Sequence, residues 1–325
     1  MDRFVTPPRS TLAEVTLEKA LQSAKRYANK SRSDATWRAY KSDWRQFEGW
    51  CADVGLPCLP AEPETIAMFV ASQADKGLNP TTINRRLAAL RLVHLGAGHD
   101  SPHNSIKVTE VMRGIRRNWG QPPKKKSAVM DDDVKRMADA VESETRKGLR
   151  DRALVLLGFA GAFRRSELVG LNTWNLVEQD EGLKVTIEKS KTDQEAIGQT
   201  IGILRVADSP YCPVRAVSDW LTVAGIESGP VFRRMFRGDK VGQSRLSSQS
   251  VALVIKELAF KAGLDADSFS GHSLRSGFLT SAARTKANLF KMADQSRHKS
   301  LDMLQEYVRH EDLFENNAGA GLLDE

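Results

Sequence analysis

One break organises this chain. Residues 119 to 131 read WGQPPKKKSAVMD. The two adjacent prolines lack backbone donors and push the residue before them away from the helical region. The three lysines behind them repel one another and stay in water. Such a stretch neither continues a helix nor fills a core, so what lies on either side folds separately. With 325 residues, the chain is long enough for two domains of roughly 100 to 200 residues each. The expected division is a domain over 1–122, a linker over 123–128 and a second domain over 129–325.

On the N-terminal side, after a loose polar lead-in at 1–12, apolar residues recur every three to four positions. They do so in five stretches: 11–29, 33–55, 63–77, 79–98 and 105–120. Start and stop signals at Ser33, Pro63, Gly77, Asn79 and Gly96 separate them. Four or five helices and no strand are predicted. Beyond the break, RDRALVLLGFAGAF has no polar face to spare and reads as a buried helix. LKVTIEKS and QTIGILRV, separated by the polar KTDQEAIG, read as a small antiparallel sheet. Helices then resume. The fold class is therefore mainly α with a small antiparallel β-sheet in the C-terminal domain, following an all-helical N-terminal domain. Asp131 to Asp133 suit the start of a helix, where carboxylates are favoured, better than a metal site.

Charge separates the halves again. Residues 1–126 hold 21 Lys and Arg against 12 Asp and Glu, or +9; the remaining 27 against 29 give −2, summing to the net +7. A basic excess concentrated in one part points to a polyanion, most commonly nucleic acid. Three cysteines at 51, 58 and 212 fit neither a disulfide framework nor a zinc pattern, which suggests a reducing cytoplasm. No apolar run is long enough to span a bilayer and no apolar leader opens the chain, so no membrane partner is expected. No Gly-rich phosphate loop with its lysine is present.

Polar groups that interrupt apolar segments are the candidates for chemistry. In FAGAFRRSELVGL, Arg164 and Arg165 follow the buried helix directly and Glu167 comes three residues after Arg164. A guanidinium at the edge of a core needs an anion. In SGHSLRSGF, His272 and Arg275 share a helix face at i, i+3. Tyr307 lies in RHKSLDMLQEYVRHED beside the apolar stripe Leu301, Leu304 and Val308. By itself it reads as a packing residue with its hydroxyl on a partner.

Taken in chain order, the set is more specific: an arginine in GAFRRSEL, a lysine in EKSKTD between two strands, HSLR, a histidine at 298 and a tyrosine nine residues on. This order and spacing resembles the tyrosine recombinase family, also called phage integrases, over nearly the whole chain. The resemblance implies that Arg164 and Arg275 grip the scissile phosphate, for which the guanidinium fork is suited and lysine is not. It implies that His272 and His298 add hydrogen bonds, with His272 ahead of His298 as proton acceptor. Lys191 would protonate the departing 5′ oxygen, with Lys189 as alternative, and Glu167 would orient its neighbours. Tyr307 would then be the nucleophile. A phenol with a pKa near 10 is ionised in only about one molecule in a thousand at neutral pH, so neighbouring cations and a base are required.

The activity implied is site-specific DNA recombination through a 3′-phosphotyrosyl intermediate, by a homotetramer on two DNA sites with inverted repeats. A type IB topoisomerase-like or telomere-resolving enzyme, or a silent DNA-binding protein, would share parts of the pattern. No cofactor and no metal is expected, since no carboxylate cluster accompanies the candidate residues. The resemblance also implies that Lys124, Lys125 and Lys126 contact phosphates. It further implies that Arg85 and Arg86 lie in a helix that enters the major groove, as base readers or phosphate contacts, and that Gln249 opens a second such helix. A C-terminal helix at 312–325 would dock into a neighbouring subunit, and the protein would be cytoplasmic and nucleoid-associated. Two positions depart from the family: Arg297 stands where many members have Gly, and Arg165 where an aliphatic residue is usual.

Overall fold

In the computed structural model, residues 19–24, 26–28, 31–119, 126–188 and 198–311 are described, with 119 and 309–311 described by backbone alone. The chain divides into two compact units, Met1–Pro123 and Lys124–Glu325.

Among its described residues the first unit is helical throughout. Residues 19–24 and 26–28 are helical (α1), followed by α2 (Asp34–Val54), α3 (Pro63–Asp75), α4 (Pro80–Gly96) and α5 (Ile106–Trp119). The start signals work as side-chain caps. Ser33 Oγ accepts from the Thr36 amide at 3.2 Å and Asn79 Oδ1 from the Thr81 amide at 2.8 Å. Gly55 ends α2 in the left-handed conformation. Helix α2 packs on α4 and α3 on α5, closing a core of Phe47, Ile66, Phe69, Ile83, Leu90 and Val108. His94 is buried with both ring nitrogens bonded, Nδ1 to the Leu90 carbonyl at 2.8 Å and Nε2 to the Ala61 amide at 3.1 Å.

The second unit contains α6 (Asp131–Asp139), α7 (Arg146–Ala160), α8 (Arg165–Gly170), α9 (Pro213–Val223), α10 (Ser248–Lys261), α11 (Ser273–Arg284), α12 (Leu289–Ser296) and α13 (Asp302–Glu311). Its strands are β1 (Leu176–Gln179), β2 (Gly182–Ile187), β3 (Gln199–Leu204), β4 (Arg233–Phe236) and β5 (Lys240–Arg245). Helix α7 is the central element. Ala153 to Leu157 are all buried, and α9, α11 and α6 pack around it. Asp133 bonds back to the Met130 amide at the start of α6, the capping role its position predicts.

Strands β2 and β3 pair antiparallel with Val185 opposite Ile201. Two features escape the sequence pattern. The first is β1, a four-residue edge strand pairing with β2; the second is the β4–β5 hairpin. The hairpin sequence RRMFRGDKVGQSR is too charged to show period-two alternation. Its turn is set by Gly238 and Asp239, both at positive φ.

Residues 126–129 are bonded onto this unit. The Ser127 amide donates to the Ser268 carbonyl at 2.9 Å and the Val129 amide to the Ser273 carbonyl at 3.0 Å. Val129 is fully buried, and its carbonyl comes so near α11 that a Cβ on Gly277 would lie 1.7 Å from it. Only glycine fits there.

Candidate active site

The end of α7 sets the site. After Ala160 the chain turns through Gly161 and Ala162, and Ala162 is buried at φ 45°. A left-handed alanine is strained, and such strain persists only where surroundings fix it. Here two guanidiniums do so: the Ala162 carbonyl accepts from Arg275 Nη1 and from Arg297 Nη2, each at 2.8 Å.

Arg164 is the N-cap of α8. Its backbone amide donates to Glu167 Oε2 at 3.0 Å and its Nη1 to Glu167 Oε1 at 2.6 Å. Glu167 is buried and also receives Arg297 Nη2 at 2.8 Å. Burial alone would raise its carboxyl, but Arg297 and the amide and guanidinium of Arg164 outweigh that and hold it below the ordinary value.

Arg275, in the first turn of α11, is 1% exposed. Burial, and then the like charges of Arg164 and Arg297, push its guanidinium down to about 9. Its Nη2 lies 3.3 Å from both ring nitrogens of His298. The tautomer of that ring follows from its neighbour. Ser296 Oγ donates its only proton to the Met292 carbonyl at 2.6 Å, so it accepts from His298 Nδ1–H at 2.7 Å, and Nε2 carries the lone pair. Burial, followed by the charge of Arg275, pushes His298 down to about 4, so the ring is neutral at pH 7.

His272 caps the head of α11 and is open to solvent on one side. Crowding by the pocket wall, then Arg275, Arg164 and Arg165, lower its pKa from 6.5. Tyr307 on α13 is half-buried, held by a small cluster of Leu279, Ala283, Met292 and Leu304 with Leu301 and Val308 beside it. Its phenol is near enough to Arg275 to interact with it electrostatically. A cavity of about 590 Å³ is lined by Lys126, Ser270, His272, His298, Glu306 and Tyr307. Residues 143 positions apart in the sequence, Arg164 and Tyr307, thus belong to one charged neighbourhood centred on Arg275.

The other candidates are placed differently. Lys191 and Lys189 lie outside the described residues, as do Lys124, Lys125 and the segment 312–325. Lys126 is at the cavity, its Nζ on the Asp267 carbonyl at 2.6 Å. Gln249 is exposed in the first turn of α10, which Ser247 caps. In the first unit, Arg85 grips the buried Asp43 with two bonds of 2.9 and 3.0 Å and stays half-exposed. Arg86 is mostly buried, with Nη1 on Gln73 Oε1 and Nε 3.7 Å from Asp43. Arg86 is thus tied into the fold. Sequence reasoning missed Arg297 as part of this site, although its replacement of the usual glycine was the available signal. Among the described residues, no group of three or more His, Cys, Asp or Glu side chains is placed to hold a metal ion. None of their helices is long and apolar enough to cross a membrane.

Two buried arginines and two histidines beside a helix-mounted tyrosine define a class. Residues 128–313 match the phage integrase family, and residues 24–98 match the phage integrase N-terminal SAM-like domain. The chain belongs to the phage integrase family: it is a tyrosine recombinase, a DNA strand-breaking and rejoining enzyme of site-specific recombination. It is 40% identical over 304 residues to the integrase/recombinase xerD homolog of Selenomonas ruminantium, covering 93% of this chain and 89% of that protein. It is 24% identical over 313 residues to recombinase cre of Escherichia phage P1, covering 90% and 89%. Among solved structures, the Tn1549 transposon integrase in complex with circular intermediate DNA has the same fold. Its TM-score is 0.61 at 15% identity, covering 89% of this chain and 93% of that one.

Proposed function

We propose that Tyr307 attacks a DNA phosphate held by Arg164 and Arg275, giving a 3′-phosphotyrosyl link and a free 5′-hydroxyl. The observation that carries this reading is the charge balance around Arg275. Three guanidiniums, Arg164, Arg275 and Arg297, share one carboxylate, Glu167, in a mostly buried site. That surplus of positive charge, where water screens poorly, favours an anion and above all a pentacovalent phosphate with its extra negative charge. His272, open to the cavity with its pKa lowered, is the neutral base that takes the phenol proton. His298 hydrogen-bonds beside Arg275. Lys191 delivers a proton to the leaving 5′ oxygen, and no metal is called on.

A second 5′-hydroxyl attacking the phosphotyrosyl link reverses the chemistry and joins new partners, so bond energy is conserved. The assembly that brings two such sites together is a homotetramer on two inverted-repeat duplexes, with residues 312–325 docking between subunits. Lys124 to Lys126 and Arg85 supply phosphate contacts, Gln249 reads a base edge, and the protein works on DNA in the nucleoid. The test is strand exchange between two differently labelled duplexes carrying a selected site, with chelator present. Hybrid products that depend on Tyr307 support the reading; resealed nicks without hybrids would replace it with a topoisomerase activity.

A further inference from the structure

Arg297 ends α12 in the left-handed conformation, φ 58° and ψ 44°, where its amide and that of His298 close the helix on Asp294 and Ala293. This backbone favours glycine. An arginine there is disfavoured twice, by its Cβ and by burial of its charge, for the residue is 3% exposed. Its contacts offset both. Nη1 donates to the Gly161 carbonyl at 2.9 Å and to the Gln295 carbonyl at 2.5 Å; Nη2 donates to the Ala162 carbonyl and to Glu167 Oε2, both at 2.8 Å. The guanidinium carbon also lies 5.0 Å over the Phe163 ring.

Every one of these partners except Gln295 belongs to the turn that ends α7 or to α8, and two of them also hold a phosphate-facing arginine. Glu167 takes Arg164 on its other oxygen, and the Ala162 carbonyl takes Arg275. We infer that Arg297 is a positioning residue for strand cleavage. It is the buried cross-link that joins the α12–α13 connection, which carries His298, to the α7–α8 turn and so fixes the spacing of Arg164, Arg275 and His298 around the phosphate. Each terminal nitrogen of Arg297 already serves two protein acceptors, so it acts through Glu167 and the Ala162 carbonyl rather than on the reacting atoms. The inference rests on the reading of Arg164 and Arg275 as the phosphate ligands.

The test uses the full chain, a nicked duplex that traps the covalent adduct, and the variants Arg297→Gly and Arg297→Lys, measuring DNA affinity, adduct-formation rate and thermal melting for each. Arg297→Gly suits the backbone and removes the guanidinium. It is expected to bind DNA within about threefold of the parent while forming adduct about 100-fold more slowly, the loss typical of a reacting group displaced by about 1 Å. Its rate should also fall more steeply than the parent's as pH drops, because Glu167 loses the first of the cations that hold its carboxyl low. Arg297→Lys keeps a charge but cannot serve four acceptors. It should fold, retain the parent's pH profile and form adduct about tenfold more slowly.

Adduct rates within about threefold of the parent in both variants, or losses that only follow weakened DNA binding or melting, would overturn the inference. If Arg297→Gly does not fold, the Arg297→Lys rate decides alone. An adduct that survives Tyr307→Phe would overturn the underlying reading, and this inference with it.

Discussion

Arg297 Nη2 lies 2.8 Å from Glu167 Oε2, and neither side chain is more than 1% exposed. A buried pair of this kind contributes little when compared with a well-packed apolar pair, yet breaking it from one side leaves a charge with no counter-ion. Glu167→Ala strips both Arg297 and Arg164 of their carboxylate. The second unit should lose about 3 to 5 kcal/mol in urea unfolding. Glu167→Gln, which still accepts hydrogen bonds, should lose less. Equal, small losses in both variants would show that the pair is not what joins α8 to the α12–α13 connection.

The histidine next to that pair gives the protein a pH dependence. His298 titrates at about 4 in the folded chain against 6.5 for the free side chain. Between those values the unfolded chain binds a proton that the native chain does not, so this group's contribution to stability falls as pH drops from about 6.5 to about 4. Below that window it is constant. The shift sets an upper bound of about 3 kcal/mol, reduced by the partial exposure of the ring. Unfolding of the parent and of His298→Asn across this range should show the parent losing more stability toward acid. Parallel curves would contradict the assignment.

Gly277 and Gly114 should respond oppositely to alanine. At Gly277 the new Cβ meets the Val129 carbonyl at 1.7 Å, a backbone atom that cannot step aside without detaching residues 126–129. Gly277→Ala should destabilise by about 1 to 3 kcal/mol or more, and it should weaken DNA binding by displacing Lys126 from the cavity. Gly114, inside α5, has nothing within 4 Å of a new Cβ. Gly114→Ala should stabilise its helix by about 0.5 to 1 kcal/mol. Thermal melting of the two variants checks both signs.

Two basic residues that look alike in the sequence should behave differently on DNA. Lys126 is exposed at the cavity, whereas Arg86 is mostly buried on Asp43 and Gln73. Lys126→Ala should lower the slope of log affinity against log salt by about one. Arg86→Ala should leave the slope unchanged and lower the stability of the first unit, because it removes a counter-ion from the buried Asp43. A reduced slope for Arg86→Ala would make it a phosphate contact after all.

The helices were legible because their signals are local. Ser33 and Asn79 precede apolar periodicity and cap their own helices, and the α7 sequence has no polar face for solvent. The strands β2 and β3 were legible from alternation. Strand β1 and the β4–β5 hairpin were not, since four residues of edge strand or a run such as RRMF carry no periodic signal. Within the site, Arg164, His272, Arg275 and Tyr307 stand out by spacing and by resemblance. What Arg297 does could not be read in the same way. Its partners Gly161, Ala162 and Glu167 lie more than 100 positions away and meet it only through the packing of α11 on α7 and of α12 on α11. Arg86 shows the converse: a basic residue beside Arg85 on a DNA-facing pattern that tertiary contacts turn inward.

On this mechanism the α13 phenol is the group that joins DNA. Nicked duplexes of random sequence, incubated with the full chain in chelator, should yield a denaturant-resistant protein–DNA adduct. Mass spectrometry of its nuclease-trimmed tryptic peptides should place the phosphodiester on Tyr307, with a free 5′-hydroxyl on the released strand, and Tyr307→Phe should form no adduct while still binding DNA. An adduct on another residue, or one that persists in Tyr307→Phe, would contradict the nucleophilic role of Tyr307.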